Sequence, residues 1–345
     1  DLTLGLDLEL HLLADSIFPD TMKGGVVALD PTTGEVLLLY SYPTFDPNLF
    51  VGGISSPDWA ALRDDPMQPL LNRALSALYP PGSTWKPVLA SLALRDGLAG
   101  IDDFMPSSCQ GSLRYGNRSF HCWKHSGHGA LDMSGAIKES CNVYFYQLGL
   151  RIGLRRLTEE GTRIGFNQPC GIDLPAETPG RFPEGPEFFE RVFGYRPTEG
   201  VPPILASGQG PNDQTPLKMA QFYLAIARDG SAPPPRLLKT DEPPEGGWTL
   251  DLSQEALRVM RQGLRAVVQP GGTAHLSSLE HWDLLGKTGT VQNPPNPDHA
   301  WFVGIAGPWN GDPEIVVAVI VEFGESGSGM AAPLVAKTAD FYLRR

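Results

Sequence analysis

The chain has 345 residues, a formal net charge of −12, and 41% hydrophobic and 19% charged residues. That length is enough for a sizeable core in one large domain or two, and the acidic balance argues against a nucleic-acid surface. No stretch approaches the ~18 uninterrupted apolar residues of a membrane span, and nothing reads as a signal peptide. The 39 glycines and 33 prolines imply many shaped loops.

Residues 1–7 alternate like a strand and read as the continuation of a longer chain. Leu8, Leu10, Leu12, Leu13 and Ile17 predict a helix over residues 8–18. Two apolar runs, residues 25–30 and 35–40, predict a hairpin closed by Pro31-Thr32-Thr33-Gly34. A loop rich in Pro, Asn and Gly follows over residues 43–56. From about 58 to 265 the pattern is mostly helical, over residues 84–97, 133–150, 153–164, 215–228 and 253–267. Pro-rich breaks fall at 179–186, 202–203 and 233–244. Strands return over 282–290, 300–306 and 314–323, and a helix closes the chain over 330–343. Strands at both ends around a helical middle predict one α+β domain spanning residues 1–345. Its sheet parts are about 1–57 and 266–345, and its mostly helical insertion lobe is about 58–265. The cleft between sheet and lobe is the natural site.

Three short motifs bear on chemistry. Tyr79-Pro80-Pro81-Gly82 turns into Ser83-Thr84-Trp85-Lys86, and Val88, Leu89, Leu92 and Leu94 continue at helical spacing. On a helix Ser83 and Lys86 share one face. A lysine whose pKa is lowered by burial can take the proton of a serine nucleophile. Seen alone, the pair reads equally as an N-cap serine and a surface lysine. The second motif is Ser140-Cys141-Asn142, opening or inside an aromatic helix, and by itself it could simply be a cap. The third, Lys287-Thr288-Gly289-Thr290, lies on a predicted strand before a Pro/Asn-rich loop. Bare Gly289 would let another backbone approach, so that a peptide could add as an extra strand. Lys287, Thr288 and Thr290 would offer donors to its carboxylate.

Ser-x-x-Lys, Ser-x-Asn and Lys-Thr-Gly in that order are far more specific than any one of them. The chain resembles, over essentially its whole length, the penicillin-recognising serine enzymes. Within them it is similar to the transpeptidase domain of class B penicillin-binding proteins of the elongation type, penicillin-binding protein 2. The finer likeness is carried by residues 43–50, Asn72-Arg73-Ala74, Gly127-His128-Gly129, Gly171-Ile172-Asp173-Leu174, Gly208-Gln209-Gly210 and Gly272-Thr273-Ala274. The resemblance implies an antiparallel five-stranded sheet flanked by helices, as in β-lactamases and transpeptidases. It also implies a D,D-transpeptidase that cross-links peptidoglycan stem peptides in cell-wall elongation and is acylated by β-lactams.

On that resemblance Ser83 attacks the penultimate D-Ala carbonyl, Lys86 accepts the hydroxyl proton, and Ser140 relays a proton to the leaving amine. Asn142 orients Lys86, and Lys287 adds positive charge near Ser140. Thr288 and Thr290 hold the substrate carboxylate, beside Gly289. The Ser83 and Thr290 N–H groups form the oxyanion hole. An N-terminal membrane helix and a pedestal domain would precede the domain, placing it on the extracytoplasmic face of the bacterial cytoplasmic membrane. A SEDS-family glycosyltransferase would be its partner. The chemistry would need no cofactor. Residues 143–200 lack the Glu-x-x-Leu-Asn element of class A β-lactamases, and Asn142 stands where class D enzymes and penicillin sensors carry an apolar residue. A catalytically silent β-lactam-binding sensor or scaffold, and a D,D-carboxypeptidase, are the other readings.

Cys109, Cys122, His128 and Cys141 follow the spacing Cys-x12-Cys-x5-His-x12-Cys. Three Cys and one His make a standard structural zinc set. If Ser140 and Asn142 face the cleft, Cys141 points away from it, and a zinc would pin the back of that loop. A Cys109–Cys122 disulfide and buried free thiols are alternatives. Cys170 reads as a small buried residue. Asp102, Asp103, Asp241, Glu242 and Glu245 read as solvated loop acids. Among His121, His125, His275, His281 and His299, only His275 is expected near the cleft.

Overall fold

The computed structural model describes residues 2–240, 242 and 245–345. The expected leading strand is reduced to one bridge, Leu4 to Leu238; Asp1 and Asp241 lie outside the described residues. Helix α1 (Leu8–Ile17) starts at Asp7, whose carboxylate accepts the Leu10 N–H at 3.1 Å. The two apolar runs pair as β1 (Lys23–Leu29) and β2 (Val36–Tyr42). Asp30 closes their turn by accepting the N–H groups of Thr32 and Thr33.

The lobe begins with α2 (Ser56–Asp64) and α3 (Lys86–Arg95). An exposed hairpin follows, β3 (Ser112–Tyr115) and β4 (Arg118–His121). Neither α2 nor this hairpin was expected, because both are too polar to show an apolar period. The single helix expected over 133–150 is two, α4 (Met133–Lys138) and α5 (Asn142–Ile152), broken at Glu139-Ser140-Cys141. Helices α6 (Leu154–Arg163), α7 (Glu187–Phe193), α8 (Val201–Ala206) and α9 (Pro216–Ala227) complete the run. A two-residue pair, β5 (Ser231–Ala232) and β6 (Trp248–Thr249), and α10 (Gln254–Val267) lead back to the sheet.

There β7 (Asp283–Asn293), β8 (Asn296–Gly307) and β9 (Ile315–Glu322) precede α11 (Ala332–Leu343). The loop expected after Thr290 is instead the tip of a hairpin, since β7 continues to Asn293. The sheet order is β2-β1-β9-β8-β7, all antiparallel. The first and last segments therefore meet side by side at β1 and β9, and β7 is an edge. Every β9 residue is buried, as a central strand covered on both faces requires. Helix α9, buried along its whole length, packs on β1, β8 and β9, while α11 packs on β8 and β9 and α1 on β2.

A buried ion pair ties the lobe to this core. Arg73, with no exposed surface, donates through Nε to Glu322 Oε1 at 2.8 Å. Its other nitrogens reach the carbonyls of Met67, Gln68 and Leu71. Tyr79, just before the Gly82–Trp85 turn, donates to the same Glu322 oxygen at 2.8 Å. Without Arg73, Glu322 keeps Lys23 at 3.3 Å, but the carbonyls of Met67, Gln68 and Leu71 lose their donor. Arg73→Ala is expected to lower unfolding free energy by roughly 2–4 kcal/mol. Urea denaturation checks this, and an unmoved midpoint would count against it.

Candidate active site

Ser83 lies in a tight turn, Gly82–Trp85, that feeds directly into α3. The turn is clamped on two sides. Gly82 has a φ of +53° and donates to the Gly208 carbonyl at 2.9 Å. A Cβ on Gly208 would lie 2.1 Å from the Gly82 carbonyl oxygen, so only glycine allows that approach. On the other side, a Cβ on Gly289 would sit 3.0–3.1 Å from Trp301 Cβ, Pro81 O and Thr84 Cγ2. On the face where a side chain would stand, the backbone that bare Gly289 admits is the protein's own Pro81 turn. The Trp301 indole N–H and the Tyr223 hydroxyl donate to the carbonyls of Pro80 and Thr84.

Lys86, one residue after the turn, has no exposed surface. Its Nζ donates to Ser140 O at 2.7 Å, Asn142 Oδ1 at 2.7 Å and Ser140 Oγ at 3.1 Å. The three ammonium hydrogens are thereby used, and none goes to Ser83. The Phe145 ring lies 5.6 Å from Nζ. Burial pushes the Lys86 ammonium down to about 8, against a weaker upward pull from Cys141 and Cys122.

The break between α4 and α5 supplies those acceptors. Cys141 N–H donates to Ala136 O and Ser140 N–H to Ile137 O, the paired bonds of a Schellman helix end. Glycine usually fills its left-handed position; here Ser140 does, at φ +51°. A side chain in that conformation costs on the order of 1 kcal/mol. It turns both the carbonyl and the hydroxyl of Ser140 toward Lys86. Asn142 then opens α5, with its amide nitrogen donating to His121 O at 3.3 Å.

Ser83, Ser140, Asn142, Thr288 and Thr290 all line one cleft of about 790 Å³. Lys287 lies fully buried behind it. Its Nζ donates to the Thr288 carbonyl at 3.1 Å and hydroxyl at 3.4 Å, and burial, then the Lys86 charge, push its pKa well down. The expected approach of Lys287 to Ser140 is not made as a hydrogen bond. Thr273 was missed as a site residue: its hydroxyl lies 3.0 Å from that of Thr288, inside the cleft. The stretch Gly272-Thr273-Ala274 had marked only a family likeness. His275, expected near the cleft, is exposed and turns its ring to the Gly272 carbonyl. The roof residues Phe120, His121, Trp123 and His125 were also missed, because β3 and β4 carry no apolar period.

Behind Ser140, the side chain of Cys141 meets Cys109, Cys122 and His128. Their four ligand atoms all lie within 4.8 Å of one another, and His128 Nδ1 is 3.5 Å from both the Cys109 and Cys122 sulfurs. All four cysteines are free and buried, Cys170 among them. Tetrahedral zinc, with bonds of about 2.3 Å to sulfur and 2.0 Å to nitrogen, spans edges of roughly 3.5–3.8 Å. The donor set suits that ion, and the two His128–sulfur distances match such edges.

Residues 24–340 match the model of the penicillin-binding protein transpeptidase domain. The chain belongs to that family. Within it, the transpeptidase domain sides with the elongation-type class B branch. It is 35% identical to the peptidoglycan D,D-transpeptidase MrdA of Acinetobacter baumannii, over 99% of this chain and 54% of the relative. It thus spans about half the length of that curated relative. It superposes on Pseudomonas aeruginosa PBP2, solved in complex with WCK 5153, with a TM-score of 0.92 at 35% identity, covering 100% of this chain and 76% of that one. Helicobacter pylori PBP2, solved in complex with MreC, gives 0.89 at 32%, covering 99% and 63%.

Two outcomes are expected of this transpeptidase domain. With Lys86 at about 8, its amine is neutral only above that pH. Acylation by benzylpenicillin should fall roughly tenfold per unit as pH drops below about 8, and level off above it. A flat profile from about pH 6 to 10 would refute this. The unfolded lysine keeps its proton up to its ordinary 10.5. Stability should therefore rise with pH between about 8 and 10.5, where the unfolded chain binds the extra proton. Second, Ser140→Gly keeps the left-handed turn and its carbonyl but deletes the hydroxyl. Acylation should drop roughly 100-fold or more, with the melting temperature held because the backbone cost is removed. A large fall in both would mean that the hydroxyl matters for the fold instead.

Proposed function

We propose that this domain is a peptidoglycan D,D-transpeptidase of cell-wall elongation that works through a Ser83 acyl-enzyme. The observation that carries the reading is Lys86: a buried ammonium with lowered pKa, held by Ser140 and Asn142 beside a clamped serine turn. Ser83 Oγ attacks the carbonyl of the penultimate D-Ala of a stem peptide. Its proton passes to the Lys86 amine, and Ser140, in contact with Lys86, hands a proton to the departing nitrogen. The C–N bond breaks, D-alanine leaves, and the Ser83 ester remains. An amine from a neighbouring stem peptide attacks that ester, and Ser83 recovers its proton. Thr288, Thr290 and Thr273 take the substrate carboxylate, and Lys287 supports it with positive charge from behind. The Ser83 and Thr290 N–H groups hold the oxyanion. β-Lactams enter the same path and stay as esters, their leaving group tethered.

The reaction itself uses no cofactor. Zinc held by Cys109, Cys122, His128 and Cys141 has a structural part: it fixes the back of the Ser140 turn. The whole protein works on the extracytoplasmic face of the cytoplasmic membrane, with a membrane anchor and a pedestal domain ahead of the sheet. Its partners there are a SEDS-family glycosyltransferase and an MreC-type scaffold, the latter by analogy with the H. pylori complex.

Intact mass after brief exposure to benzylpenicillin should show one stable adduct, and Ser83→Ala should show none. An adduct that disappears within seconds would indicate a β-lactamase. The absence of an adduct would leave the silent-scaffold reading. Protein purified without added zinc or chelator should carry about one zinc per chain, and a metal-free, folded preparation would end the zinc reading.

A further inference from the structure

Beyond Thr290 the cleft continues into a polar corner. Thr288, Thr290 and Gln292 stand two apart on the edge strand β7, and all three line the cleft. Across the hairpin, Thr290 pairs with Ala300 and Val291 with His299. Beyond that pair the register shifts between Val291 and Asn293, and Gln292 and Asp298, at this irregular step, both line the cleft. The Asp298 backbone is pinned by its carbonyl, which accepts the Glu325 N–H at 2.9 Å. Ser326 and Ser328, with hydroxyls 2.9 Å apart, close the corner. Asp298 is the one carboxylate among the residues lining the cleft. Among the described residues its side chain makes no ion pair and accepts no hydrogen bond. An unpaired carboxylate flanked by neutral acceptors matches the three donors of an ammonium group.

We infer that Asp298, with Gln292, forms a subsite for the ammonium of a diamino-acid residue in the donor stem peptide, just before its D-Ala pair. The inference rests on the transpeptidase reading. In that reaction the acceptor is an amine on a stem peptide, so donor stems carry the same kind of residue. With its carboxylate at Thr288 and Thr290, a donor extended along β7 runs antiparallel toward Gln292. Two strand positions, about 6.6 Å, carry it from Thr290 to Gln292.

The test uses the Ser83→Ala protein, which consumes nothing. It is titrated by NMR with Nα-acetyl-Lys-D-Ala-D-Ala and with the same peptide acetylated on Nε, and again after adding Asp298→Asn or Asp298→Glu. The free-amine peptide should bind roughly fivefold tighter than its acetylated form. Asp298→Asn should erase that ratio, Asp298→Glu should keep part of it, and added salt should shrink it. Equal affinities, a preference that survives Asp298→Asn, or no binding of either peptide would overturn the subsite. Benzylpenicillin acylation of the unmutated protein is measured beside it. An adduct with no amine preference overturns the subsite alone, whereas amine preference with no adduct supports the subsite and overturns the activity.

Discussion

The buried ammonium of Lys86 is the constraint from which the rest of the site follows. A lysine with no exposed surface must be fully hydrogen-bonded or lose its proton, because an unpaired charge in the interior is prohibitive. Here three acceptors meet it from one turn: Ser140 O, Ser140 Oγ and Asn142 Oδ1. That supply requires α4 to stop at Lys138, Ser140 to take a left-handed backbone, and Asn142 to open the next helix. The spacing of the second motif, with one residue between its serine and asparagine, is the spacing that this turn demands. The compromise is visible chemically, since desolvation offsets the hydrogen bonds enough to bring the amine within reach of neutrality.

The same turn has a back as well as a front. With Ser140 and Asn142 committed to Lys86, Cys141 faces away and meets Cys109, Cys122 and His128. Two of these four come from the segments around β3 and β4, which also roof the cleft and accept the Asn142 amide through the His121 carbonyl. Anything that draws the four together therefore bears on the catalytic turn from behind. The roof is otherwise a polar hairpin with little apolar surface of its own to hold it down.

The Ser83 turn is held by close packing. Backbone atoms of the Ser83 turn press against Gly208 on one side and Gly289 on the other, at separations that a methyl group would fill. Behind the turn, Tyr79 joins the Arg73–Glu322 pair at the lobe's junction with the sheet. The position of Ser83 over β7 is thus set by contacts that involve no substrate, as a preorganised nucleophile needs. The edge of β7 stays open beside it.

The motifs proposed for the chemistry were legible in the sequence because each is local: Ser83 to Lys86, Ser140 to Asn142 and Lys287 to Thr290 carry their own turn, cap or strand. The α+β class was legible too, since buried strands and helices print their periods on the chain. The cluster of Cys109, Cys122, His128 and Cys141 was visible as a spacing, with zinc, a disulfide and free thiols left as alternatives. The tertiary structure alone decided what those pieces touch. Glycine at 289 reads the same whatever backbone it admits, and only packing brings the Pro81 turn against it. The break at Ser140 escaped the helical period because Met133, Ala136, Ile137, Cys141, Tyr144, Phe145 and Leu148 keep helical spacing across it, and the left-handed serine offers its carbonyl to Lys86 from far along the chain. Thr273 was marked only by a family likeness that named no chemistry for it, and Asp298 by nothing. They reach the cleft because a long-range sheet and a hairpin register bring them there, and no local pattern encodes contacts of that range.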